Sequence, residues 1–165
     1  MGAATEKNAE PTVRFARTDD IPALLRLLVQ VNMVHHNGRP DLFKGPATKY
    51  SADDLTAMLN DGDRPVFVCE RDGAVLGYAM CVLQTTKDDP ILTDRTALYV
   101  DDLCVDETAR GERVGRRLFE RVVAYAKEKG CYHVTLNVWV CNPTAQGFYE
   151  HLGMKPFKIG MEWIV

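Results

Sequence analysis

The sequence predicts a mixed α/β fold, with a mostly antiparallel central sheet of six to seven strands flanked by about four helices. Three observations carry this. PVFVCE and AVLGYAMCVLQ flank the turn signal Arg71-Asp72-Gly73, which makes a hairpin. A long amphipathic helix pattern, Val114 to Ala126, sits between two strand-like runs. Two capped helix patterns precede the hairpin. A hairpin followed by a strand–helix–strand unit is a mixed sheet, not a purely parallel one.

The elements follow in order. Residues 1–11 are polar and small and read as a frayed tail, leaving 12–165 as one domain. Met1-Gly2 invites myristoylation, but Glu6 occupies the position where that motif needs Ser or Thr. Thr12 to Arg17 alternates as a strand. Thr18 or Asp19 is the expected cap of a helix with the stripe Ile21, Leu24, Leu25, Leu28 and Val31, ending near Asn37-Gly38. Ser51, with Asp54 three residues on, caps a short helix to Asn60. After the hairpin come a polar loop and a strand from Thr96 to Val105. A helix follows, with Val114, Leu118, Phe119, Val122, Val123 and Ala126 on its apolar face and Gly130 at its end. His133 to Val140 is a β-branched strand, Asn142 opens a last helix to Leu152-Gly153, and Met154–Val165 supplies one or two final strands.

Composition narrows the function classes. A net charge of −3 argues against a nucleic-acid binder, and no apolar run reaches the ~18 residues of a membrane span. Cys69, Cys81, Cys104, Cys131 and Cys141 form no C-x-x-C pair and sit among apolar residues, as free thiols do in a reducing cytoplasm.

The sharpest chemical signal is the stretch from Val105 to Arg117. A strand ends, a glycine-containing turn follows, and a helix begins. Unpaired amides and the positive end of the helix dipole there attract an anion. Gly111 and Gly115 reduce bulk so that a phosphate can approach, and Arg110, Arg113, Arg116 and Arg117 add positive charge. Taken alone, the segment also fits an ordinary turn with a solvated basic face. Neither G-x-x-x-x-G-K-[ST] nor G-x-G-x-x-G is present. A second constellation follows the next strand: Asn142-Pro143 is a cap with proline in the first turn, and Phe148 and Leu152 face the sheet. Tyr149 carries a phenol suited to protonating a leaving thiolate, although packing alone would also explain it.

Together the segments resemble the GNAT superfamily of acyl-CoA transferases. The match is Arg110-x-x-Arg113-x-Gly115 to the pattern [QR]-x-x-G-x-[GA], and Asn142-x-x-Ala145-x-x-Phe148-Tyr149-x-x-x-Gly153-Met154 to the family's second motif. Element order agrees over residues 12–165. Arg113 departs from the pattern, standing where the family has glycine. The resemblance implies a GNAT-type sheet and acetyl-CoA as cosubstrate, with no metal. It implies that the pyrophosphate lies on the amides of Gly111, Glu112, Arg113, Val114, Gly115 and Arg116, with Arg110 beside them. Pantetheine would pair with Leu103, Cys104 and Val105 and meet Asn142, Ala145 and Phe148, and Tyr149 would be the general acid.

On the acceptor side, strand alternation sends Asp101 and Asp102 to opposite faces. By likeness to polyamine acetyltransferases, Asp101 is the expected base and Asp102 an acceptor contact. His35, His36, Arg39 and Asp41 form a polar cluster, of which His35 and Arg39 are acceptor candidates. Adjacent histidines diverge on a helix, so no metal site is expected. Trp139 and Trp163 read as packing residues. The expected reaction is acetyl transfer from acetyl-CoA to a primary amine of a small molecule. Peptide or protein N-terminal acetylation and a non-catalytic acetyl-CoA-binding module remain open, and the apolar last strand allows a homodimer.

Overall fold

The computed structural model describes residues 9–165. Most of the expected tail, with Gly2 and Glu6, lies outside the described residues. The order is β1 (Thr12–Phe15), α1 (Ile21–Gly38), α2 (Ala52–Leu59), β2 (Val66–Arg71), β3 (Ala74–Thr86), β4 (Arg95–Val105), α3 (Val114–Glu128), β5 (His133–Leu136) and α4 (Pro143–His151). Short 3-10 turns, Thr18–Asp20 and Glu107–Ala109, lead into α1 and toward α3. The strands lie side by side as β1-β2-β3-β4-β5, antiparallel except for the parallel β4–β5 pair.

Helices pack on both faces of the sheet. On one face α1 and α2 bring Leu24, Leu27, Leu28, Leu55 and Met58 against Val66, Val68, Tyr78 and Met80. On the other, α3 sets Val114, Leu118, Val122 and Ala126, an i, i+4 stripe, over Phe67, Ala79, Cys81, Leu98 and Val100. Burying each of these larger side chains contributes about 1.5–3 kcal/mol. Gly77 keeps this contact close: a Cβ there would lie 2.7 Å from the Cys104 carbonyl oxygen and 3.1 Å from Val114.

Four details differ from the sequence expectation. The N-cap of α1 is Asp20, because Thr18 and Asp19 are taken up by the 3-10 turn, where Asp20 anchors Arg14. β5 stops at Leu136 instead of running to Val140. Met154–Val165 forms no strand among the described residues, so the sheet has five strands rather than six or seven. Trp163 is 90% exposed and packs on nothing, whereas Trp139 meets Phe43 edge-on at 5.0 Å.

A fifth expectation to fail is the alternation along β4. Met80 pairs with Asp102 and Cys81 with Val100, so Asp101 is an extra residue in the ladder. Leu98 and Val100 face α3 before this bulge, and Leu103 and Val105 face α3 after it. The phase has slipped by one. Asp101 and Asp102 therefore share the face toward α1 and α2 instead of pointing apart.

Candidate active site

The bulge also marks where β4 and β5 part. Their parallel ladder runs only from Ala97–His133 to Val100–Leu136. Beyond it, β4 keeps its bonds to β3 as far as Val105, paired with Gly77, while its other edge from Asp101 to Val105 has no strand partner among the described residues. The result is a fork with exposed backbone on one prong, the kind of edge an extended chain can join as an added strand.

Two helix starts flank the fork. Before α3, Gly111 has φ 85° and Arg113 φ 63°, and Arg113 is the N-cap. The left-handed conformation favoured by the family's glycine is thus adopted here by an arginine. Its side chain makes no capping bond, and the amides of the first turn of α3 face outward. Glu112 is tied to Arg71 at the end of β2, which fixes the loop to the sheet. At the start of α4, Asn142 Oδ1 accepts a bond of 3.1 Å from the Ala145 amide. Gly115 also serves helix packing: a Cβ there would lie 3.0 Å from Phe148 and 3.4 Å from Val105. So Phe148 locks the second motif against the first. A neighbouring pair, Phe119 and Tyr149, has ring centroids 6.1 Å apart.

Electrostatics separate the polar groups. Burial pushes the Tyr149 phenol well above its ordinary value, and the Asp102 charge and the Cys81 thiol add to the effect. This phenol stays protonated at neutral pH. Burial pushes Asp102 up to about 6; Lys49 pulls it down, Asp101 pushes it further up, and bonds from the Tyr78 hydroxyl and the Leu103 amide pull down. The Tyr78 hydroxyl lies 3.3 Å from Asp102. Asp101 has its own partners: Lys49 Nζ at 2.7 Å and the Tyr50 hydroxyl at 2.5 Å, with Arg64 donating in turn to Tyr50 at 3.1 Å.

Lys49, Tyr50 and Tyr78 escaped the sequence reading. Lys49 and Tyr50 lie in an aperiodic stretch, and Tyr78 is one apolar position among many in a strand. His35 stacks on Phe43 at 5.1 Å, and burial with the nearby Lys49 charge lowers its pKa. Arg39 is held by the carboxylates of Asp41 at 2.7 Å and Glu162 at 2.5 Å. Among the described residues, no group of three or more His, Cys, Asp or Glu is placed to hold a metal ion.

The family model for acetyltransferases of the GNAT type matches residues 33–154. The chain belongs to the acetyltransferase (GNAT) family. GNAT proteins are acyltransferases, and the relatives agree. A putative ribosomal protein bS18-alanine N-acetyltransferase of Bacillus subtilis is 34% identical over 114 residues, covering 69% of this chain and 68% of that protein. Glucosamine 6-phosphate N-acetyltransferase 1 of rice is 42% identical over 63 residues, but the match spans only 36% of its length and 38% of this chain. Among solved structures, a mutant of the BH1408 protein from Bacillus halodurans superposes with a TM-score of 0.90 at 30% identity, covering 93% of this chain and 99% of that one. The GNAT match takes in the β4–β5 fork, the start of α3 and all of α4.

Proposed function

We propose that this GNAT protein transfers the acetyl group of acetyl-CoA to a primary amine of a small molecule, by direct attack within a ternary complex. The observation that carries the reading is the fork. Its open β4 edge, Leu103–Val105, lies between two helix starts, one of them rich in arginine. That combination suits a cosubstrate with an amide-bearing arm and a diphosphate. In this reading the loop from Arg110 to Arg116 holds the diphosphate. Leu103, Cys104 and Val105 bind the arm, and Asn142, Ala145 and Phe148 close its far side. Acetyl-CoA supplies a thioester carbon open to nucleophilic attack.

The chain's own groups then move protons. Tyr149, kept protonated by burial, is the acid that donates to the departing thiolate. The acids exchange the roles expected from sequence. Asp101 is already paired with Lys49 and Tyr50 and is better suited to positioning, whereas Asp102, at about 6, is ionised and basic near neutral pH. We assign Asp102 as the base, acting directly or through water, and Asp101 as the group that orders the acceptor side. His35 borders that side. Arg39 enters it only if its carboxylate partners release it.

A second acceptor class has its own support. The Bacillus subtilis relative is named for the alanine amine of a ribosomal protein, so a protein N-terminus is the rival to a small-molecule amine. The five free thiols fit the reducing cytoplasm, which we include in the proposal. A thiol-release screen with acetyl-CoA across polyamines, amino acids, aminoglycosides and short peptides tests the reading. Turnover with a small amine supports it, and turnover with peptides alone moves the acceptor to a protein. Calorimetric binding of CoA without turnover of any amine would leave a binding module.

A further inference from the structure

Lys49 is a primary amine held where an acceptor amine would go. Its Nζ lies 2.7 Å from Asp101 Oδ1 and 5.4 Å from the centre of the Tyr50 ring, and its charge also acts on Asp102. The backbone that carries it is fixed. His36 Nδ1 meets the Phe43 carbonyl at 2.7 Å, Asn32 donates to the Lys44 carbonyl at 3.0 Å, and the next residue, Tyr50, bonds Asp101. The Lys49 side chain itself is about half exposed, and a lysine head rides on a flexible four-carbon stem, so it can swing while its base stays in place. Among the described lysines, Lys49 is the one bonded to either acid.

Asp101 is also the first residue of the open β4 edge. An arm that follows this edge from the phosphate loop, past Val105 to Leu103, brings its thioester to the two acids and so to Lys49. We propose that Lys49 is itself an acceptor: with acetyl-CoA bound and no external amine present, the protein acetylates its own Lys49 Nζ. This activity depends on the acetyl transfer proposed for the site and adds a modification site to it. The ammonium gives one proton to Asp102 and so to solvent. The nitrogen then attacks the thioester carbonyl carbon, the C–N bond forms and the C–S bond breaks. The departing thiolate takes the Tyr149 proton, and the second proton shed by the nitrogen restores Tyr149. The products are Nε-acetyl-Lys49 and CoA. Burial disfavours the Lys49 ammonium, but the bond and charge of Asp101 outweigh it, so self-transfer is slow beside turnover. An external amine that displaces Lys49 from Asp101 outcompetes it. Once acetylated, Lys49 no longer neutralises Asp101 or pulls Asp102 down, so the modification alters the acceptor side itself.

Peptide mass spectrometry of the full chain incubated with acetyl-CoA alone tests it. The exposed Lys44 and Lys87 report spontaneous acetylation by the thioester, and Lys49 should run about tenfold or more ahead of them. Its rate per chain should hold constant over about a tenfold range of protein concentration, because amine and site share one chain. A saturating amine that supports CoA release should suppress it about tenfold or more. Asp102→Asn and Tyr149→Phe, with circular dichroism matching wild type, should each bring Lys49 down to the level of Lys44 and Lys87. Lys49 no faster than those two lysines, a rate that grows with protein concentration, or an advantage that survives both substitutions would each overturn self-acetylation. Release of CoA by an external amine in the same preparation would leave the acetyl-transfer reading standing. No release with any amine, together with an unmodified Lys49, would overturn both.

Discussion

Asp102→Asn is the most informative single change. In the native protein the carboxyl titrates at about 6, so about ten elevenths of it is ionised at pH 7 and about one eleventh at pH 5. If the ionised form is the base, kcat/KM falls about tenfold between these pH values because of this group. The asparagine variant should lose on the order of 10²–10⁴ in kcat/KM, and its residual rate should lack that acidic limb. Lys49→Met provides the converse. The ammonium pulls Asp102 down, so removing it should shift the limb to higher pH while leaving the base in place. Two acceptors of different amine pKa separate the enzyme's limb, which stays, from the acceptor's, which moves. The stability sign is opposite to that of activity. A carboxyl raised in the folded state opposes folding above its unfolded pKa, so the asparagine variant should melt no lower than wild type at pH 7. Activity within a few-fold of wild type with the limb intact would refute the assignment. Loss of the limb in Asp101→Asn but not in Asp102→Asn would return the base to Asp101.

Three further predictions test other parts of the molecule. Tyr149→Phe should lower kcat by about 10²-fold or more with CoA affinity within a few-fold, read by steady-state kinetics and calorimetry. Arg113→Gly should raise stability to urea by about 0.5–1 kcal/mol, because φ 63° strains a side-chain-bearing residue, while Arg113→Ala keeps the strain and changes little. At Asp106 burial alone would raise the carboxyl, but bonds from Arg26 and from the amide and hydroxyl of Thr108 hold it at about 2. Asp106→Asn should therefore cost about 1–2 kcal/mol at neutral pH, discounted for the half-exposed Arg26, and the difference from wild type should vanish as pH falls from about 4 to about 2.

Much of this was legible in the sequence because it is local. The Ser51–Asp54 box, the Asn142 cap, the Asp72-Gly73 turn and the stripe of α3 each depend on neighbours within a few residues, and each forms as read. The bulge was written there too. Leu98 and Val100 are followed by Leu103 and Val105, a change from even to odd that alternation alone cannot absorb. Arg113 hid its conformation because a positive φ signals itself only through glycine. Lys49 and Tyr50 reach Asp101 across about fifty positions of chain, and no periodicity reports such a contact. The last segment reads as a strand, yet strand character is only half of a pairing.

A shared origin makes two halves of this site inseparable. The same inserted position at Asp101 releases β4 from its neighbour and turns two acids toward one side. Deleting one residue there would restore regular pleating and leave a single carboxylate on that side. Change on this side of the sheet is therefore more readily accommodated at the residues that bond Asp101, Lys49 and Tyr50, than at the inserted position itself, whose removal would alter the strand phase and the pair of acids together.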